Sequence, residues 1–245
     1  MAALFETEFI CGYQSLKTDL TVTFPQIVAY MQETTLRHTE YIGYPMELFI
    51  ERKCCWAITH WQVELYDYPK WNDKITAKTW STSFKGYMAE RCFELYNDKG
   101  KCLAKANTNW VFTNTEKKKA VRPPEDLLKN FEVNPSLCME KDFKFPSKDS
   151  YKKINERELI VPHSDIDANL HVNNVKYIER FVNGFDIEFY KNNNIVSMKT
   201  VYRKSAYLGE KVIIETYANG TNEYIGLIKS VDSSILTEIY TKWEK

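Results

Sequence analysis

The sequence is poor in the residues that interrupt folded structure, with 8 Gly and 8 Pro among 245 residues. So small a supply excludes a long flexible linker or a low-complexity tract. Charge of either sign is not in excess, since 33 Lys and Arg face 33 Asp and Glu. A globally basic nucleic-acid binder is thereby excluded. Long apolar runs are missing as well, and Met1-Ala2-Ala3-Leu4-Phe5-Glu6 has no basic region leading into an apolar stretch. Neither a signal peptide, a transmembrane segment nor a membrane partner is expected. The six cysteines, at 11, 54, 55, 92, 102 and 138, have no metal-ligand spacing. The expectation is a cytoplasmic protein with reduced thiols, no metal and no cofactor.

What is present is an aromatic, strand-forming chain: 44% hydrophobic, with 16 Tyr, 13 Phe and 6 Trp. That content is enough for one large core or two fused ones. Residues 7–15 read as a strand, and Thr23-Phe24-Pro25 opens a helix running to about Thr39, with Pro in the first turn. A turn or short helix follows at Tyr44–Leu48. Strands are expected over about 54–66, 74–83, 88–96 and 102–114. Residues 115–151, broken by Pro123-Pro124 and rich in Lys, read as a connector between halves. The second half repeats the order, with a strand near 154–161, a helix, and strands near 195–204, 211–217, 223–231 and 235–243. Asn219-Gly220 is a hairpin signal. Asn72–Trp80 aligns without a gap on Gly209–Tyr217. A helix laid across an antiparallel sheet buries the sheet's one apolar face, so each half reads as an α+β unit.

Function concentrates in Ser164–Ile178, which gathers two carboxylates, one His and three Asn ahead of an amphipathic run, Val175, Ile178, Phe181, Val182 and Phe185. The polar cluster therefore occupies a loop and the first turn of a helix, where unpaired N–H groups and the positive end of the dipole meet. A carbonyl taking on negative charge is stabilised at such a place. Asp167 and His171 can handle water and protons. Asn and Asp at this position also serve as caps, the role expected of Asn173 and Asn174. Asp165 is expected to be structural.

Asp167-Ala168-Asn169-Leu170-His171-Val172-Asn173-Asn174-Val175-Lys176-Tyr177 resembles, nearly residue for residue, the motif of plant and bacterial acyl-acyl-carrier-protein (acyl-ACP) thioesterases. Trp56–Val63, Tyr68–Asp73, Thr79-Trp80, Asn109-Trp110-Val111 and Pro123-Pro124-Glu125 resemble the same family. The resemblance implies a tandem (double) hot-dog fold, with an antiparallel sheet wrapped around two long helices. It divides the chain into an N-terminal half at 1–114 holding the acyl chain, a connector at 115–151 and a catalytic half at 152–245. It implies Asp167, Asn169 and His171 as catalytic residues; backbone N–H groups of Val172, Asn173 and Asn174, at the helix start, are expected to hold the oxyanion. The partner implied is acyl carrier protein bearing a fatty acyl chain. The chain itself is read as a monomer or homodimer, bacterial in type or mature in form.

One departure stands out. Where the family has a Glu-Cys pair after Tyr-Arg, this chain has Ser205-Ala206 after Tyr202-Arg203-Lys204. A Cys-His-Asn mechanism is not available at that place. Two alternatives to an acyl-ACP thioesterase remain: an acyl-CoA thioesterase, and an acyl-binding double hot-dog protein without activity. His60 in the first half reads as structural, and the Lys-rich stretch 141–153 as a solvated connector rather than a docking patch.

Overall fold

The computed structural model describes residues 4–220 and 222–245; Met1–Ala3 of the expected leaderless start and Thr221 of the Asn219-Gly220 hairpin lie outside the described residues. The chain folds as two compact units, one of residues up to Thr59 with Val63–Lys141, the other of His60–Gln62 with Asp142–Lys245. The expected connector up to Lys141 thus belongs to the first unit.

The first unit contains β1 (Phe5–Ile10), α1 (Phe24–Tyr41), α2 (Met46–Glu51), β2 (Cys54–Leu65), β3 (Lys74–Lys85), β4 (Met88–Asn97) and β5 (Cys102–Asn114). A two-residue β6 (Lys119–Ala120) folds back on β5, and α3 (Glu125–Leu128) follows. Strand order is β1-β3-β4-β5-β2. The expected first strand stops at Ile10, because a 3-10 turn at Tyr13–Ser15 redirects the chain. Along β1 the side chains alternate, with Phe5, Thr7 and Phe9 half-buried and Glu6 and Glu8 exposed. Those carboxylates meet Lys78 and Lys74 on the neighbouring strand, and charge of this kind blunts a sheet edge. Pro25 sits in the first turn of α1, and Ile27, Val28, Met31, Thr35 and His38 form its buried side.

The second unit contains β7 (Lys152–Ile160), α4 (Asn174–Val182), α5 (Ile187–Asn192), β8 (Asn194–Tyr202), β9 (Lys211–Ala218), β10 (Glu223–Ser230) and β11 (Ile235–Glu244). Its strand order, β7-β9-β10-β11-β8, repeats that of the first unit. Register repeats too: Ile10 pairs with Lys74 in one unit and Ile160 with Lys211 in the other. The ungapped alignment of Asn72–Trp80 on Gly209–Tyr217 is therefore a true structural equivalence. Each half is one helix-covered antiparallel unit, the hot-dog architecture expected.

The second helix is shorter than expected. It ends at Val182, and the chain restarts as α5 with Asp186 as its cap, Oδ1 accepting from the N–H of Glu188 at 2.8 Å. Gly184 makes the break passable, since a Cβ there would lie 2.9 Å from an Arg157 nitrogen. Helix and sheet approach closely at Gly226 on β10, where a Cβ would overlap the Phe181 ring. At the equivalent strand position of the first unit stands Phe93, fully buried. Among the described residues no helix is long and apolar enough to cross a membrane.

Candidate active site

The stretch leading into α4 is a tight, internally bonded loop. A 3-10 turn at His163–Asp165 is followed by a bridge between Ile166 and Val172. Inside it the Asp167 N–H donates to the His171 carbonyl at 2.9 Å, and the Leu170 N–H to the Asp167 carbonyl at 3.0 Å. Closing so short a turn forces Leu170 to φ +62°, a left-handed conformation unusual for a branched side chain. Asp167 Oδ1 accepts the N–H of Asn169 at 2.8 Å, the local bond an Asx-turn makes. Asp167, Asn169 and His171 thus lie on one five-residue turn, all three half-buried.

Asn173 caps the helix, its Oδ1 accepting from the Val175 N–H at 2.9 Å. The three expected oxyanion amides fare differently. The Val172 N–H donates to the Ala206 carbonyl at 3.0 Å and the Asn173 N–H to the Asp165 carbonyl at 2.8 Å. Both are committed to holding the loop, and backbone donors so engaged are not open to a ligand. Among the described residues the Asn174 N–H has no acceptor, as befits the first residue of a helix. Of the three amides, this is the one left without an acceptor.

Asp165 is structural as expected, with its carboxylate buried and paired to Arg180 of α4, one bond running from Nε to Oδ2 at 2.8 Å. That bond raises the Arg180 pKa. A small cavity of about 10 Å³ lies against the pair, lined otherwise by apolar side chains that include Val172, Ala206 and Ile228.

Three tyrosines that sequence reasoning gave no role converge here. The Tyr177 hydroxyl, under the loop, accepts the N–H of Ala206 at 2.7 Å. Burial pushes its pKa up to about 12, and the charges of Glu210 and Asp167 add to the rise. The Tyr202 hydroxyl donates to the Asn174 carbonyl at 2.9 Å, and burial raises its pKa well above the ordinary value. The Tyr207 ring stands 5.0 Å from the His171 imidazole at 64°. Tyr177 belongs to the motif, so its placement was within reach. Tyr202 and Tyr207 lie on β8 and beyond, and nothing local marks them.

Ala206, at the family's Cys position, is fully buried and Ser205 exposed. His60 lies in β2, its ring 5.5 Å from Phe143, and burial followed by the Arg203 charge lowers its pKa. The Lys-rich stretch is largely engaged: Lys141 pairs with Glu90, Lys153 with Glu156, and Lys148 lies over the Tyr217 ring. Among the described residues no cluster of His, Cys, Asp and Glu is placed to hold a metal.

Residues 2–131 match the acyl-ACP thioesterase N-terminal domain and residues 148–245 its C-terminal domain. A palmitoyl-acyl carrier protein thioesterase of Cuphea hookeriana chloroplasts is 25% identical over 87% of this chain and 54% of its own length. An oleoyl-acyl carrier protein thioesterase of Arabidopsis thaliana chloroplasts is 24% identical over 94% of this chain and 67% of its own. The chain spans little more than half the length of several such plant relatives. An acyl-ACP thioesterase from Bacteroides thetaiotaomicron shares the fold, with a TM-score of 0.86 over 99% of this chain and 98% of its own at 19% identity. So does a 12:0-ACP thioesterase from Umbellularia californica, with a TM-score of 0.85 over 100% and 98% at 20% identity.

Proposed function

Because the chain belongs to the acyl-ACP thioesterase family, we propose that it hydrolyses fatty acyl-ACP, releasing free fatty acid and holo-ACP. The observation that carries this reading is the loop itself. A carboxylate, an amide and an imidazole sit on one turn, immediately before a helix whose first N–H is open.

In the reaction, water attacks the thioester carbonyl, a C–O bond forms and the C–S bond breaks. Asp167 orients and deprotonates the water, and Asn169 positions it through its side-chain amide. His171 holds the carbonyl or shares the water's proton with Asp167, and the proton taken from the water passes to the departing thiolate. The Asn174 N–H, at the positive end of α4, faces the oxygen as it becomes an oxyanion. Losing one such donor typically costs roughly 10²–10³ in rate. A thiolate leaves readily, so the site has no need of a strong acid. The cytoplasm, where acyl carriers and reduced thiols coexist, is the compartment proposed.

Ser205 and Ala206 favour a second reading, an acyl-binding protein without turnover. Free-thiol release from a panel of acyl-ACPs and matching acyl-CoAs, wild type beside Asp167→Ala, separates the two. Turnover on carrier thioesters, lost in the variant, is the expected result. Preference for CoA would move the substrate assignment, and no release from either panel would leave binding alone.

A further inference from the structure

The backbone around His171 is heavily bonded, but its side chain is not. His171 contributes its carbonyl to the loop, and among the described residues its imidazole makes no hydrogen bond. What the ring does touch is Tyr207, with centroids 5.0 Å apart and planes at 64°. An edge-on aromatic contact of this kind has a preferred geometry and resists rotation.

Tyr207 is well placed to serve as a fixed wall. Its N–H donates to Glu210 Oε2 at 3.0 Å, and the Glu210 N–H returns to the Tyr207 carbonyl at 3.1 Å. Its neighbour Ala206 is stapled at both ends, its N–H to the Tyr177 hydroxyl and its carbonyl to the N–H of Val172. Val172 adjoins His171, so the two rings hang from backbones joined by a hydrogen bond between adjacent residues. In the first unit the same crossing exists without the rings. There the Val22 N–H donates to the Pro69 carbonyl at 2.8 Å, and the residues at the ring positions are Thr21 and Lys70. The aromatic pair therefore is not a requirement of the backbone crossing.

We propose that Tyr207 is a positioning residue that sets the direction of the His171 imidazole at the start of α4. The inference rests on the hydrolase reading for its kinetic consequence, but the contact itself does not. A freely rotating imidazole spends only part of its time aimed at the reacting atoms, so the chemical step slows while substrate binding is spared.

Two measurements on the full chain test this, using Tyr207→Leu and Tyr207→Phe. With only 4 histidines in the sequence, the imidazole protons can be followed by NMR, and His171→Asn identifies its resonances. Tyr207→Leu should shift the His171 resonances, leave those of the other histidines in place, and lower kcat on the order of tenfold with KM little changed. Tyr207→Phe keeps the ring and should rescue both readouts; Tyr207→Gln replaces the Leu variant if the latter folds poorly. Unmoved His171 resonances, an undiminished kcat, or a loss confined to KM would each overturn the proposal. A wild-type chain inert on every thioester would remove the hydrolase reading instead, and the resonances would still decide the contact.

Discussion

Leu20 and Leu170 share a left-handed backbone, φ +67° and +62°, at the tips of two loops that match bond for bond. Leu16 bridges Val22 as Ile166 bridges Val172. The Lys17 N–H donates to the Thr21 carbonyl as that of Asp167 does to His171, and the Thr23 N–H to Ser15 as that of Asn173 to Asp165. Yet Lys17, Asp19 and Thr21 stand where the second loop has Asp167, Asn169 and His171. The Asp19 carboxylate is occupied by Thr21, accepting from its N–H at 3.0 Å and its hydroxyl at 2.6 Å. Burial pulls the Lys17 pKa down. The loop is thus a folding device that delivers a chain from an edge strand to a helix. On the proposed reading, chemistry is added to it by three side chains, in one copy only.

The largest expected effect separates the copies by activity. Asp167→Ala should reduce thioester turnover by roughly 10³-fold, the scale of a lost general base, whereas Lys17→Met at the matching place should leave kcat at the wild-type level. Thiol-release kinetics on acyl-ACP check both; equal losses would break the comparison.

Next in size is the anchor beneath each loop. In the second unit it is the buried Asp165–Arg180 pair; in the first, Ser15 Oγ donates to Gln26 Oε1 at 2.9 Å. Asp165→Ala strands a partly buried cation and should cost roughly 3 kcal/mol. Ser15→Ala should cost about 1 kcal/mol. Urea midpoints at constant m-value measure the difference.

Packing gives the third contrast. Gly226 leaves space for Phe181, whereas the equivalent position on β4 carries Phe93. Gly226→Ala should destabilise by about 1–3 kcal/mol through overpacking, and Phe181→Leu in the same chain should recover part of it. A double-mutant cycle with no coupling would show that the ring is not the obstacle.

The last contrast is a pH dependence centred on His38 of the first unit. His38 on α1 is buried against Arg91 of β4, its Nδ1 3.0 Å from the guanidinium. Burial, reinforced by the Arg91 charge, lowers its pKa from 6.5 to about 3. The unfolded chain therefore binds this proton first. The stability His38 contributes is complete above pH 6.5 and is lost as pH falls toward 3, at up to ~1.4 kcal/mol per pH unit. His38→Gln, which remains neutral, should flatten the curve of urea midpoint against pH over that window.

The sequence by itself determined whatever depends on near neighbours. Alternation marked the strands of both units, Pro25 and Asn173 marked the helix starts, and the repeat of Asn72–Trp80 at Gly209–Tyr217 carried the register. It also singled out Asp167, Asn169 and His171 as a group, through the family resemblance of the motif that carries them. Tertiary structure alone decided what the group can do. Which amide stays open depends on where the Ala206 and Asp165 carbonyls arrive. The wall behind His171 comes from Tyr207, and the crowding at Gly184 from Arg157. Ala206, Tyr207 and Arg157 are distant in sequence from the residues they meet, and the order of strands in the sheet brings them together. Periodicity of two or 3.6 residues reports which side of an element is buried, and carries no record of which element will lie against it.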